Sequence, residues 1–458
     1  MKWILVFLAL WAGASARSQS VVVTGQTPSG QAATPSASQQ VVVQSPVLTG
    51  TPITLTLKDA LQRAGQYSPQ VYSAQFAARL AHEDSVQAKA ALLPSASALS
   101  QFIYTQPNGS PSGIFVSNDG PHVYNEQALV HGEIYNPAKL ADRRRLIAAE
   151  AVARAKVDLA VRGLFATVTQ NYYTTVVSQR KIANAQASLA EAQQFFDITR
   201  KQEDGGEAAH VDVVKAEIQV QQRQRDLQDA QANYEKARIG FAILLFPDYG
   251  QAYTLADDLE NSAKLPAYPQ IQSLAAENSP DLRVAKATVE QQTHAVTEAR
   301  AGFLPSLSFD YFYGLNSNQM ALHNAYGQNQ LGSVAQAQLT VPVWNWGASR
   351  SRVKQAQIQL DQARADLSLA QRSLLSEMAA FYVEAQTAAA ELDSLKSTVE
   401  LSTVNLEATR LRYTAGESAA QEVVDAQSQL VTARNAYDDG LVRYRLAIAS
   451  LQTLTGVF

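Results

Sequence analysis

The 458-residue chain contains no cysteine. That excludes disulfides, thiolate metal sites, cysteine nucleophiles and the lipid-bearing cysteine of an anchored lipoprotein. Long apolar runs are missing too. Beyond the N-terminus no stretch reaches the roughly 18 apolar residues of a membrane-crossing helix, so a helical membrane bundle is excluded. Charge of one sign is not in excess: 37 Lys and Arg stand against 41 Asp and Glu, a net of −4. A nucleic-acid binder would carry a basic patch or stripe instead. Nucleotide signatures are lacking, with neither a phosphate-binding P-loop nor a glycine fingerprint. The histidines, at 82, 122, 131, 210, 294 and 323, are scattered, and no pair has ligand spacing on one helix face. No metal or other cofactor is therefore expected. At 46% apolar and 17% charged residues, the composition is that of a folded, water-soluble chain rather than a disordered one.

What is present begins with a targeting segment. Met1-Lys2 is basic, Trp3 to Ala12 is apolar, and Ala14-Ser15-Ala16 has the small-residue pattern of a cleavage site. Residues 1–16 read as a signal peptide, so the mature chain starts near Arg17 and works outside the cytoplasm. Residues 17–50, rich in Ser, Gln, Thr, Pro and Val, read as a disordered low-complexity segment. The remainder is a tandem repeat. An offset of 211 carries Ser68-Pro69 to Ser279-Pro280 and Leu93-Pro94-Ser95 to Leu304-Pro305-Ser306. An offset of 209 carries Tyr135-Asn136 to Trp344-Asn345, and one of 210 carries Gly206-Glu207 to Gly416-Glu417 and Val213-Val214 to Val423-Val424. A register that drifts by so little marks one unit used twice, over 51–250 and 271–458, joined by a linker at 251–270.

Each unit reads helix, strand, strand, long helix, turn, helix. The strands are expected at about 94–105 and 123–135, and at about 305–315 and 334–344, from their period-two alternation. It is clearest where Leu307, Phe309, Tyr311, Tyr313 and Leu315 alternate with Ser306, Ser308, Asp310, Phe312 and Gly314. Ten-residue strands with one apolar face fit a tilted bilayer crossing, although a soluble sandwich strand would look the same. Membrane strands must close into a barrel, and four cannot, since barrels begin at about eight. Sharing among copies follows, and three copies would supply twelve. Proline-free, Ala-rich helical patterns run from 137 to about 201 and from 347 to about 412, each roughly 100 Å long. Each turns at a Gly-containing tip into a return helix. The fold class expected is thus mainly α with a small β part, in long antiparallel hairpins. Three functions compete: an outer-membrane export duct, a periplasmic coiled-coil scaffold or adaptor, and a secreted enzyme. Two hairpins with four bilayer-length strands disfavour the second. No nucleophile, carboxylate or metal constellation supports the third.

Several segments resemble one family. Leu55-Thr56-Leu57-Lys58-Asp59-Ala60-Leu61 with Ser68-Pro69-Gln70-Val71, and the counterpart Ser279-Pro280-Asp281-Leu282-Arg283, look like the opening of the repeats in TolC-like outer-membrane efflux proteins. Arg412-Tyr413-Thr414-Ala415-Gly416-Glu417-Ser418, continuing through Glu422-Val423-Val424-Asp425-Ala426, resembles the second hairpin tip of that family. The resemblance implies a homotrimer with a twelve-stranded barrel in the outer membrane and a helical tunnel through the periplasm. It implies outer-membrane lipid, a periplasmic adaptor and an inner-membrane pump as partners, in efflux or type I secretion, with no catalytic role. It places Glu422 and Asp425 on an acidic constriction. It places Asp212 and Tyr413 in a tip gating network, with Ser418 standing where the family has an Arg. Gly205, Gly206, Gly416 and Glu417 fall at the turns that adaptor helices would approach. With no cysteine to carry a lipid, the barrel alone would hold the protein in its membrane.

Overall fold

The computed structural model describes residues 49–104, 122–248, 250–261 and 265–456. The expected signal peptide, all but the last two residues of the 17–50 segment, and the loop at 106–121 lie outside them. The described chain opens with β1 (Thr49–Leu55) and α1 (Leu57–Tyr67). Thr56 starts α1 with a reciprocal cap: its hydroxyl accepts from the Asp59 backbone N–H at 3.2 Å, and the Asp59 carboxylate accepts from the Thr56 N–H at 3.1 Å. Ser68 then ends α1 and caps α2 (Pro69–Ala90) through its hydroxyl. Pro69, lacking an N–H, suits the first position of a new helix and cannot continue the old one. Ser279 and Pro280 repeat this break between α5 (Tyr268–Asn278) and α6 (Pro280–Ala301).

After α2 come β2 (Ser95–Tyr104) and β3 (His122–Tyr135), then α3 (Pro137–Asp204), of 68 residues, and α4 (His210–Leu245). Next is β4 (Gln251–Leu255), then α5 and α6, β5 (Ser306–Ser317) and β6 (Leu331–Thr340). α7 (Ala348–Thr414), of 67 residues, and α8 (Ala420–Thr455) close the chain. On α3 the buried positions Ala141, Ala148, Ala155, Arg162, Thr169 and Val176 recur every seventh residue, as do Ser349, Ala356 and Ala363 on α7. A strict seven-residue repeat winds packed helices into a left-handed supercoil. Small residues at most of these sites let α3 lie against α2, α4, α6 and α8, and α7 against α6 and α8.

Three expected boundaries need correction. The linker at 251–270 holds a strand: β4 pairs in parallel with β1, Ile53 opposite Tyr253 and Leu55 opposite Leu255. β1 itself begins inside the segment read as disordered. This two-stranded sheet covers a core formed by Leu55, Tyr172, Phe241, Leu245 and Leu259, each side chain worth about 1.5–3 kcal/mol when fully buried. The Tyr172 hydroxyl donates to the Ala256 carbonyl at 2.6 Å. The third is the strand expected at about 334–344, which runs from Leu331 to Thr340. Pro342 has no N–H to donate, so the ladder stops before it.

β2, β3, β5 and β6 form one antiparallel sheet in that order. The register sets the alternations of the four strands in phase. Ala96, Val130, Tyr311 and Ala335 share a rung, and Ala98, Ala128, Tyr313 and Ser333 another, on one largely apolar face. Ser95, His131, Asp310 and Gln336 share a rung on the opposite, polar face. β2 and β6 are the outer strands, and each has one side without a strand partner among the described residues.

Candidate functional site

The two hairpin turns, between α3 and α4 and between α7 and α8, are closed by the same pair of backbone bonds. Gly206 N–H donates to the Glu203 carbonyl at 2.8 Å, and Gly416 N–H to the Tyr413 carbonyl at 3.0 Å. Glu207 N–H reaches the Gln202 carbonyl at 2.7 Å, and Glu417 N–H the Arg412 carbonyl at 2.8 Å. These bonds end a helix by sending one residue left-handed. That residue is Gly206 at φ 77° and Gly416 at φ 78°, whereas Gly205 keeps an ordinary φ of −81°. A Cβ at 206 or 416 would meet nothing within 4 Å, so backbone freedom, not space, calls for glycine there.

Side chains differ between the turns. In the first, the His210 ring meets the Glu203 carboxylate across the turn at 2.7 Å, and Asp212 faces Lys215 at 3.5 Å. In the second, Arg412 reaches Glu422 at 3.6 Å and the Glu417 carbonyl at 3.4 Å. Asp425 accepts from the Gln421 amide at 2.8 Å. Glu422 and Asp425 sit three residues apart on α8, near one another on its surface, and both are exposed. The Ser418 hydroxyl donates to the Thr409 carbonyl at 3.5 Å, tying the turn back onto α7.

Asp212 and Tyr413, which the resemblance puts in one network, make no hydrogen bond to each other. Tyr413 lies edge-on to Phe195, ring centres 5.1 Å apart, and its hydroxyl is buried with no hydrogen-bond partner among the described residues. Burial pushes its pKa up and the Asp212 charge adds to this, while the Thr199 hydroxyl acts the other way. Tyr413 belongs to a seam of Phe195, Ala216, Leu406, Val423, Ala426 and Leu430 that joins the hairpins near their tips. Polar links continue away from the turns. Arg410 reaches Gln194 at 3.0 Å, the Gln427 amide the Glu191 carbonyl at 3.1 Å, and Arg434 the Glu191 carboxylate at 3.1 Å. Further along, Arg180 of α3 joins Asp257 at 2.5 Å and Asp438 of α8 at 3.2 Å, and Asn184 donates to Asp438 at 2.8 Å.

Arg412 was not singled out by the sequence reading, because ten residues separate it from Glu422. The signal was available once the turn is fixed at Gly416, which brings the end of one helix beside the start of the next. None of these groups forms a catalytic constellation, and among the described residues no three His, Cys, Asp or Glu side chains are placed to hold a metal ion. No described helix is long and apolar enough to cross a membrane. The polar and apolar faces of the four-stranded sheet, together with two very long hairpins, fit an outer-membrane channel better than a periplasmic adaptor.

Comparison with known proteins agrees. The family model described as outer membrane efflux protein matches residues 60–245 and 271–457. The chain belongs to the outer membrane efflux protein family. It is similar to the alkaline protease secretion protein AprF of Pseudomonas aeruginosa, with 24% identity over 72% of this chain and 68% of that one. The outer membrane protein TolC of Vibrio cholerae is 24% identical over 64% of this chain and 68% of its own. Among solved structures, the CmeC outer membrane channel of Campylobacter jejuni superposes with a TM-score of 0.76 at 16% identity, covering 87% of this chain and 85% of that one. The open-state MtrE channel of Neisseria gonorrhoeae gives 0.73 at 19% identity, covering 87% and 88%.

Proposed function

We propose that this chain is the outer-membrane component of a tripartite efflux or type I secretion system, acting as a passive trimeric duct. The observation that carries the reading is the open four-stranded sheet. Its apolar face suits lipid, yet β2 and β6 leave strand edges that a bilayer interior does not tolerate. Three copies, joined edge to edge, would close twelve strands into a barrel with the polar faces around an aqueous lumen. The hairpins of α3/α4 and α7/α8 would continue that lumen through the periplasm. Cleavage after residue 16 would free the mature chain, and the barrel alone, without a lipid anchor, would hold it in the outer membrane.

The chain has no nucleotide motif, so energy would come from an inner-membrane pump, coupled through a periplasmic adaptor at the tips. There, Asp212, Tyr413 and Ser418 would belong to the gating network, Glu422 and Asp425 to the constriction, and Gly205, Gly206, Gly416 and Glu417 to the adaptor contact. Three chains would set each constriction carboxylate into a ring that attracts cations. The test is to purify the protein from membranes in detergent, measure its mass and record conductance in a planar lipid bilayer. A trimer that conducts supports the duct. A protein that stays soluble and monomeric without detergent would sink it.

A further inference from the structure

We propose that the polar face of the β-sheet carries a second, proton-responsive charge ring, centred on His131 and Asp310, which tunes the ion preference of the barrel lumen. The inference rests on the trimeric duct proposed above. Among the strand residues described, the polar face holds only three side chains that change charge near or below neutral pH: His131 and Glu133 on β3 and Asp310 on β5. The rest of that face is Ser, Asn, Gln and Thr with scattered apolar residues. The three lie on adjacent rungs at the end of the sheet nearest the long helices.

Their pairing gives the ring its sign. His131 stands directly opposite Asp310 in the ladder, its Nδ1 2.7 Å from the Asp310 carboxylate. Its Nε2 lies 3.7 Å from Glu133. Glu133 already has a permanent partner in Lys139 of α3, at 2.7 Å, and accepts from the Asn136 amide at 3.2 Å. The remaining strands bring no charge to the His131 rung, where Ser95 and Gln336 are the neighbours. With His131 neutral, Glu133 and Lys139 cancel and Asp310 is left as one uncompensated negative charge per chain, three per trimer. With His131 protonated, that charge is cancelled as well. A narrow aqueous lumen lined by one sign of charge enriches counter-ions. The lumen would thus favour cations at neutral pH and lose that preference in acid.

The experiment uses the full-length trimer in planar bilayers, in a Glu422→Gln/Asp425→Asn/His210→Gln background, so that the constriction carboxylates and the tip histidine contribute nothing. The cation-to-anion permeability ratio is read from reversal potentials under a potassium chloride gradient at about pH 8 and about pH 5.5, a window in which histidine changes charge. The expected result is a fall of about two-fold or more on acidification. H131Q, which keeps a hydrogen-bonding side chain opposite Asp310, should abolish the pH response and hold the ratio high. D310N should give a low ratio already at about pH 8 and a still lower one at about pH 5.5, where a protonated His131 would stand uncompensated. Trimer mobility on a gel confirms that each variant assembles, and either variant alone decides the matter. A conducting pore whose selectivity ignores either substitution overturns the ring and leaves the duct standing. A protein that forms no conducting pore overturns the duct.

Discussion

Arg412 and Glu422 change what each carboxylate at the second tip can contribute. A charge with a cation 3.6 Å away offers less field to a passing ion than one paired only with an amide, as Asp425 is. Asp425→Asn should therefore lower cation selectivity more than Glu422→Gln, measured as reversal potential in bilayers. Adding Arg412→Gln should make the Glu422 substitution count. If Glu422→Gln proves the stronger of the two alone, Arg412 does not mask it. Glycine at 416 invites a second comparison. Gly416→Ala forces an L-residue to φ 78° and should cost about 1–2 kcal/mol. Gly205→Ala keeps a right-handed φ and should cost less than about 0.5 kcal/mol. Thermal unfolding in detergent separates them, and equal losses would mean that Gly416 acts through something besides its backbone.

At the level of elements, the two faces of β6 make opposite predictions. Ala337 stands opposite Phe309 on the apolar face, and Gln338 opposite Ser308 on the polar one. Ala337→Arg, close to the helix end of the sheet, should cost about 1–2 kcal/mol of barrel stability, while Gln338→Arg should fold nearly as the parent does. Urea titration in lipid vesicles gives both numbers, and equal effects would mean that β6 does not face lipid on one side. The ion pairs of α8 make a similar contrast. Arg180→Ala strips a buried Asp438 of its charge partner and should cost on the order of 2 kcal/mol. Arg443→Ala removes an exposed pair with Glu384 and Glu391 and should cost under about 1 kcal/mol. The strands and long helices were legible beforehand because each carries its own period: two in Leu307 to Leu315, and proline-free helical patterning in 137–201. β1 and β4 were not, since their pairing joins segments 200 residues apart and neither alternates over more than a few positions. The tip was half legible. The family resemblance pointed to Tyr413, Glu422 and Asp425, but whether Asp212 faces Tyr413 or Lys215 depends on side-chain directions that the sequence does not encode.

On the scale of the whole molecule, everything proposed turns on how the edges of β2 and β6 are satisfied. A bilayer leaves two solutions: pairing with another copy or shelter by some other part of the chain. The absence of cysteine makes the distinction clean, because any disulfide must be one that was introduced. Cysteines placed in pairs, Ser97→Cys or Leu99→Cys on β2 with Val334→Cys, Gln336→Cys or Gln338→Cys on β6, sample neighbouring registers on one chain. Within a chain these strands are separated by β3 and β5, about 14 Å across three strand spacings, which is beyond the reach of a disulfide. If copies join β2 to β6, at least one pair should therefore cross-link between chains. On a non-reducing gel of oxidised membranes the product should be a ladder that stops at three chains, and reductant should collapse it to one. A ladder ending at two or extending past three would rule out the twelve-stranded closure. No cross-link in any register would mean that the edges do not meet, and that something other than a second copy covers them.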